Sequence, residues 1–246
     1  VGSVIVITSG KGGTGKTSLT GGVGASLALL GKQVLCLDGD VGLRNLDITL
    51  GMTDAALMDF SDVMAGRCDL SRAAVPHPTV SGLHLLTAPL TLPGDFPGEA
   101  GFQALLQQAR EAYDYVLIDS PAGLGPGFRL AVCGADRAIV VAVSDPSSLR
   151  DAQRVVTQLS QLETIHLVVN RVRPRLLRRQ NTTIDDAMDT AGLPLLGLVP
   201  EDPKVVLAAT EGRPLAQLGA RRGAVRAYEN IARRLTGQPV PLMGLR

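Results

Sequence analysis

Eight residues near the amino end, Gly10-Lys11-Gly12-Gly13-Thr14-Gly15-Lys16-Thr17, have the types and spacing to hold a polyphosphate. They fit the pattern G-x-x-x-x-G-K-[ST] in full. Glycine admits positive φ, so successive backbone N–H groups can turn inward around an anion. A helix opening at the end of the loop adds the positive end of its dipole. Lys16 supplies a point charge for β- and γ-phosphates. The Thr17 hydroxyl is a hard oxygen ligand suited to Mg2+. Lys11 is a second lysine in the same loop and lies outside the generic pattern. It reads either as a solvated surface lysine or as a charge that reaches phosphates, including those of a facing subunit.

Three carboxylates extend this chemistry towards hydrolysis. Asp119 ends the apolar run Tyr115–Ile118 and is followed by Ser120-Pro121-Ala122-Gly123. A carboxylate at the carboxyl end of a central strand is placed to hold the shell of a bound Mg2+. Asp38 and Asp40 follow a second apolar run, Val34–Leu37. One of them can hold a metal-bound water and the other can orient the attacking water.

These groups need a scaffold that brings strand ends together. Short apolar, β-branched runs recur at Val4–Ile7, Val34–Leu37, Leu83–Thr87, Tyr115–Ile118, Ala138–Val143, Ile165–Val169 and Leu195–Val199. They are apolar throughout, which predicts strands buried on both faces, hence a parallel sheet. Helical patterns alternate with them at Leu19–Leu30, Ala55–Met64, Phe102–Tyr113, Ser147–Leu162, Ile184–Ala191 and Ala224–Leu235. Gly31 is a helix stop. The expected fold is α/β: a doubly wound, mostly parallel sheet with helices on both faces. Pro89–Gly101 is expected to be a loop. Residues 1–237 are expected to form one P-loop ATPase domain, with 238–246 as a short tail.

Composition narrows the function further. The 246 residues carry 24 Lys+Arg against 23 Asp+Glu, a net charge of +1 that excludes a globally basic coat for nucleic acid. Aromatics are 3%, too few for a base-stacking platform. No apolar run is long enough to span a membrane as a helix, and no secretory signal pattern is present. Cys36, Cys68 and Cys133 are odd in number and scattered, which suits a reducing compartment. His77, His84 and His166 lack metal-ligand spacing. Basic residues gather at Arg171, Arg173, Arg175, Arg178 and Arg179, and again at Arg213, Arg221, Arg222, Arg226, Arg233 and Arg234. Each group reads as a solvated face or as a patch for anionic lipid or DNA. Val225, Tyr228, Ile231, Ala232 and Leu235 form a core-facing stripe through the second group.

The loop Lys11–Thr17 resembles the deviant Walker A motif of the MinD/ParA ATPases. Asp40-Val41-Gly42-Leu43-Arg44-Asn45-Leu46-Asp47 is similar to switch I of the MinD branch of that family. Further matches are Asp59–Val63 with Gly66-Arg67-Cys68, Ser147–Ala152, Val169–Pro174 and Val199–Asp202, so the likeness runs from Ile5 to about Leu235. The resemblance implies a cytoplasmic ATPase, peripheral on the cytoplasmic face of the cell membrane, that forms a homodimer with ATP sandwiched between subunits. It implies nucleotide binding by Gly10, Lys11, Gly12, Gly13, Thr14, Gly15, Lys16, Thr17 and Ser18. It implies a base site at Asn170, Arg171, Pro200, Glu201 and Asp202. Lys11 would reach the partner's phosphates, and Lys11, Lys16 and Asp40 would act in hydrolysis, with Asp40 positioning water. Thr17, Asp38 and Asp119 would support Mg2+. The implied output is division-site placement: ATP-dependent membrane association, recruitment of a MinC-like division inhibitor, and slow hydrolysis stimulated by a partner. A MinE- or MinJ/DivIVA-type topological factor is the implied regulator. An anionic membrane surface is a further partner, and no nucleic acid is expected.

Other readings compete. A ParA- or flagellar-type positioning ATPase would use a basic surface for DNA or another polar partner. A P-loop amidoligase or kinase would need an acceptor pocket. A nucleotide-binding scaffold would not hydrolyse. The tail 238–246 departs from the membrane-binding pattern of the MinD branch. It holds Pro239 and Pro241, and the five residues after Pro241 are too few to nucleate a helix. Val240, Leu242, Met243 and Leu245 with Arg246 are expected as a shortened membrane-targeting segment. An iron–sulfur role for the cysteines is set aside, because buried Cys is by default a small hydrophobe.

Overall fold

A computed structural model describes residues 1–180, 183–218 and 222–243. Of 178–180, 216 and 218 it describes only the backbone. In chain order the strands are β1 Ser3–Thr8, β2 Val34–Asp38, β3 Val75–Pro76, β4 Leu83–Leu86, β5 Tyr115–Asp119, β6 Arg137–Val143, β7 Thr164–Val172 and β8 Leu195–Pro200. The helices are α1 Lys16–Leu29, α2 Leu46–Leu50, α3 Phe60–Met64, α4 Leu70–Ala73, α5 Gly98–Ala112, α6 Pro126–Val132, α7 Pro146–Thr157, α8 Pro174–Gln180, α9 Ile184–Ala191, α10 Pro203–Thr210 and α11 Gly223–Leu235.

The strands form one sheet in the order β3-β4-β2-β5-β1-β6-β7-β8. Every pairing is parallel except that of the two-residue β3 with β4. The doubly wound, mostly parallel sheet expected from the sequence is present. Alternation explains its two-sided burial. Val4 and Val6 face a core shared with α3, α5, α6, α7 and α9. Ile5 and Ile7 face the opposite core, shared with α1, α2 and α11. The predicted stripe on α11 is buried, with Val225, Tyr228, Ile231, Ala232 and Leu235 all in this second core. Gly22 of α1 lets α11 approach closely, because a Cβ there would lie 2.2 Å from Tyr228 Cδ2.

Several expected elements differ in extent. The segment Ala55–Met64 is helical only from Phe60. Asp59 caps that helix, accepting the Ser61 N–H at 2.8 Å while Asp62 accepts the Asp59 N–H at 3.0 Å. This capping box sets the start and leaves residues 55–58 outside. The loop Pro89–Gly101 is shorter than expected, since α5 already begins at Gly98, after Pro97. The helix expected over Ser147–Leu162 ends at Thr157. α1 begins at Lys16, directly from the phosphate loop, ahead of the expected Leu19. The short helices α2, α4, α6, α8 and α10 carried no periodic signal long enough to separate them from loops.

The chain after α11 folds back on the body. The Arg234 guanidinium donates to the carbonyls of Val240, Pro241 and Leu196 at 2.7–3.1 Å. Met243 packs against the second core, and Leu242 is exposed. Residues 244–246, including Leu245 and Arg246 of the expected membrane-targeting segment, lie outside the described residues, as does Arg221. The side chains of Arg178 and Arg179 do too. Of the remaining basic residues, Arg226 and Arg233 both pair with Glu229, and Arg173 pairs with Glu201. No described helix is long and apolar enough to cross a membrane.

Candidate nucleotide site

The site is built where the central strands end. β1 lies between β5 and β6, so the loop after β1 emerges at the middle of the sheet. Gly13 and Gly15 take φ of +76° and +91°, the left-handed region that glycine tolerates. At Gly15 glycine is required twice over: a Cβ would sit 2.3 Å from Asn170 Nδ2. Gly10 is pressed against α7, where a Cβ would lie 2.5 Å from that of Asp151. Gly12 and Gly13 face open space. The loop is tied down from its flanks. Ser9 Oγ donates to the Lys11 carbonyl at 2.7 Å, and Asn170 Nδ2 donates to the Thr14 carbonyl at 2.7 Å.

Lys16, at the first position of α1, is buried. Burial lowers its pKa, and the charges of Asp119 and Asp40 act against that shift. An ammonium held in this setting needs anions, and a polyphosphate would complete its partners. Asp38 and Asp119 are neighbours in register on β2 and β5. Both are buried. Asp119 is pushed up to about 7 by burial, a shift opposed by a hydrogen bond from Thr17 and reinforced by the nearby Asp38 charge. Thr20 Oγ1 lies 3.4 Å from Asp119 Oδ1. Asp38 is raised by burial, with backbone hydrogen bonds opposing. Its two oxygens accept the N–H groups of Asp40 at 2.9 Å and Leu46 at 3.0 Å. The carboxylate therefore brackets the loop between β2 and α2. Asp40 is raised by burial and lowered by Lys16.

The donor set suits Mg2+ bound together with a nucleotide. Among the described residues no three His, Cys, Asp or Glu side chains converge into a cage for a cation. Mg2+ uses one or two carboxylates, substrate phosphates and waters, and Thr17 with Asp119 offers that kind of partial shell. Thr14 Oγ1 is buried inside the loop without a hydrogen-bond partner among the described residues, so it is free for a phosphate oxygen.

Lys11 sits at the rim. Its Nζ lies 3.2 Å from both Asp145 oxygens and 3.1 Å from Ser147 Oγ. Burial raises Asp145, but hydrogen bonds from Ser147, the Ser148 N–H and Lys11 outweigh it and hold the carboxyl below its usual range. Asp145 is also the N-cap of α7. The partner of Lys11 within this chain was not legible in the sequence, since Lys11 and Asp145 are 134 positions apart.

Gly15, Ser18, Asn170, Arg171, Pro200, Glu201 and Asp202 all line one cavity of about 470 Å3. Most of their polar side-chain atoms already have partners. Asn170 Oδ1 accepts the Arg171 N–H at 2.9 Å. The Arg173 guanidinium donates to Glu201 at 2.6 Å and holds its carboxyl below the usual range. Asp202 caps α10 through the Lys204 N–H and accepts the Ala224 N–H, each at 3.0 Å. Arg171 takes φ +51°, an unusual conformation for a non-glycine residue. The walls that sequence reasoning missed are Pro203, Val205, Val206 and Tyr228. Pro203 opens α10, and Pro at the start of a helix after Asp202 was the available signal. A second cavity of about 340 Å3 joins Lys11, Gly12, Gly13 and Thr14 to Asp145 and Arg173. The larger cavity gathers the residues expected at a base site, and the smaller one gathers the start of the phosphate loop.

Comparison with known proteins identifies the family and agrees with the fold. The family described as the CobQ/CobB/MinD/ParA nucleotide binding domain matches residues 5–215. The septum site-determining protein MinD of Bacillus subtilis is 41% identical over 250 aligned residues, covering 100% of this chain and 93% of that protein. Among solved structures, a MinC:MinD cell division protein complex from Aquifex aeolicus superposes with a TM-score of 0.91 at 38% identity, covering 98% of each chain. MinD from Pyrococcus horikoshii complexed with Mg-ADP superposes with a TM-score of 0.83 at 28% identity, covering 96% of each. The chain belongs to the CobQ/CobB/MinD/ParA nucleotide-binding family, and within it to the MinD group.

Proposed function

We propose that this protein is a Mg2+-dependent ATPase whose ATP-bound form is a homodimer acting in division-site placement. The observation that carries the reading is the pair of lysines on one phosphate loop: Lys16 buried beside Asp119, and Lys11 at the rim on an exchangeable partner. Lys16 and the Thr14 and Thr17 hydroxyls hold the triphosphate. Thr17 with Asp119 would hold Mg2+, which would supply positive charge against the triphosphate. Asp119 and Asp38 hold the acidic side of that site, with Asp38 acting through the Asp40 and Leu46 backbone. Asp40 orients one water for in-line attack on the γ-phosphorus. The bond to the bridging oxygen breaks, and ADP and phosphate leave. Lys11 exchanges Asp145 and Ser147 for the phosphates of a second copy, so the γ-phosphate favours the dimer over the monomer. Turnover is slow until a partner of the MinE or MinJ/DivIVA type completes the site.

By analogy with the Aquifex complex, the protein recruits a MinC-like division inhibitor. Its association with the anionic cytoplasmic face of the membrane rests on the resemblance to the MinD group alone. Residues 1–237 serve as the ATPase domain and 238–246 as a short membrane-directed tail.

Sizing chromatography tests the switch. The parent chain should elute as a dimer with Mg-ATP and as a monomer with Mg-ADP. Lys11→Ala should remain monomeric in both while still binding nucleotide. A parent chain that elutes alike in both would overturn the reading. Vesicle co-sedimentation with ATP and with ADP tests the membrane step separately.

A further inference from the structure

We propose that the cleft between the two carboxylate-bearing loops, adjoining the nucleotide site and sharing Asp40 with it, is a binding site for a small, uncharged, apolar ring compound. The cavity holds about 420 Å3, within the range of small-molecule sites. Its walls come from three segments: Gly39–Val41 after β2, Leu92 to Glu99 ahead of and opening α5, and Pro121 to Leu130 after β5 and through α6. None of the phosphate-loop or base-site residues lines it.

The chemistry of the walls selects the ligand. Val41, Leu92, Phe96, Pro121 and Phe128 present hydrocarbon and ring surface. Burying such surface stabilises a bound apolar molecule by about 25 cal/mol per Å2 of area removed from water. Asp40, Glu99 and Arg129 are the charged groups present, two acids and one base, and they favour no ligand of a single sign. Glycine at position 125 leaves room, because a Cβ built there meets nothing within 4 Å. A concavity of about 420 Å3 has room for a compact ring compound. The placement gives the site a consequence. Gly39, Asp40 and Val41 form one wall, and Pro121 and Ala122 follow Asp119, so an occupant touches the backbone of both acid-bearing loops. Filling the cleft fixes the distance between them.

The probe is N-phenyl-1-naphthylamine, which is uncharged and fluoresces in apolar surroundings. The parent chain should bind it saturably, one molecule per chain, without nucleotide. Gly125→Leu adds a bulky side chain on the cleft wall, at a position whose φ of −75° accepts any residue and where a Cβ meets nothing, and should abolish the saturable signal. Leu92→Asp, at a side chain that is 47% exposed and therefore tolerant, should abolish it too. Leu57→Asp, at a 94% exposed leucine outside the cleft, should leave it unchanged. Fluorescent-nucleotide binding, retained in all three variants, reports that each is folded. The proposal is overturned if the parent shows no saturable uptake. It is equally overturned if uptake survives Gly125→Leu, which is adhesion to exposed leucines. Uptake that falls as protein concentration rises and returns on dilution would mark a second copy as the occupant, and would also overturn it.

Discussion

Lys11 and Asp145 form an ion pair whose side chains are 36% and 43% exposed, so its strength is that of a surface contact. The same carboxylate caps α7, and a substitution must separate the two roles. Asp145→Asn keeps an N-cap side chain and removes the negative charge. If Lys11 must leave Asp145 to meet ATP, this variant should dimerise at an ATP concentration lower by up to about fivefold, the scale of an exposed ion pair. A sizing titration measures it. Asp119 is the other residue whose surroundings decide its chemistry. In the unfolded chain its carboxyl ionises near 3.8, and in the ligand-free fold burial holds the proton to about 7. Between those values the folded state binds more protons than the unfolded one, so this group's contribution to stability falls as pH rises and is least above 7. Asp119→Asn does not titrate. Its melting temperature without ligand should therefore rise relative to the parent's from pH 4 to pH 8, measured by calorimetry, while Mg-nucleotide binding is lost.

At the scale of elements, the segment between β2 and α2 is held by a carboxylate at its base. Asp38 accepts the N–H groups of Asp40 and Leu46, at the two ends of the loop between β2 and α2. Asp38→Ala would leave these donors without their partner, at a cost of about 1–3 kcal/mol for each one that stays buried. Amide exchange at Asp40 and Leu46 should accelerate together, with β5 and β6 unchanged. The sequence made the strands legible because two-sided burial writes them as unbroken apolar runs, as in Val34–Leu37 and Ala138–Val143. The phosphate loop was legible because its spacing is rigid. What stayed hidden was set by contacts far apart in the chain. The Asn170 bond to the phosphate loop spans 156 positions, and the Lys11 bond to Asp145 spans 134. Short helices such as α2 and α10 are positioned by caps and neighbours, with too few turns to show a period.

Across the whole molecule, the second core joins the phosphate-loop helix to the carboxyl-terminal one. Tyr228 is the largest fully buried side chain there, set against Gly22, and it also lines the proposed base cavity. Tyr228→Ala should cost about 3–5 kcal/mol in denaturant unfolding, as for other large buried rings, and should weaken nucleotide binding as well. The paired register of the central strands has a consequence of its own. Ile7 stands beside Asp119, and Asp119 beside Asp38, so β2 and β5 stop at a common depth, one residue short of the end of β1, and work as a ruler for the groups at their tips. Removing one residue from within β5 would withdraw Asp119 by about 3.3 Å and turn it to the other side of the sheet. Lengthening the peripheral β3 or β8 would leave that depth alone. Tolerance to insertion should thus grow outward from the centre of the sheet towards its rims.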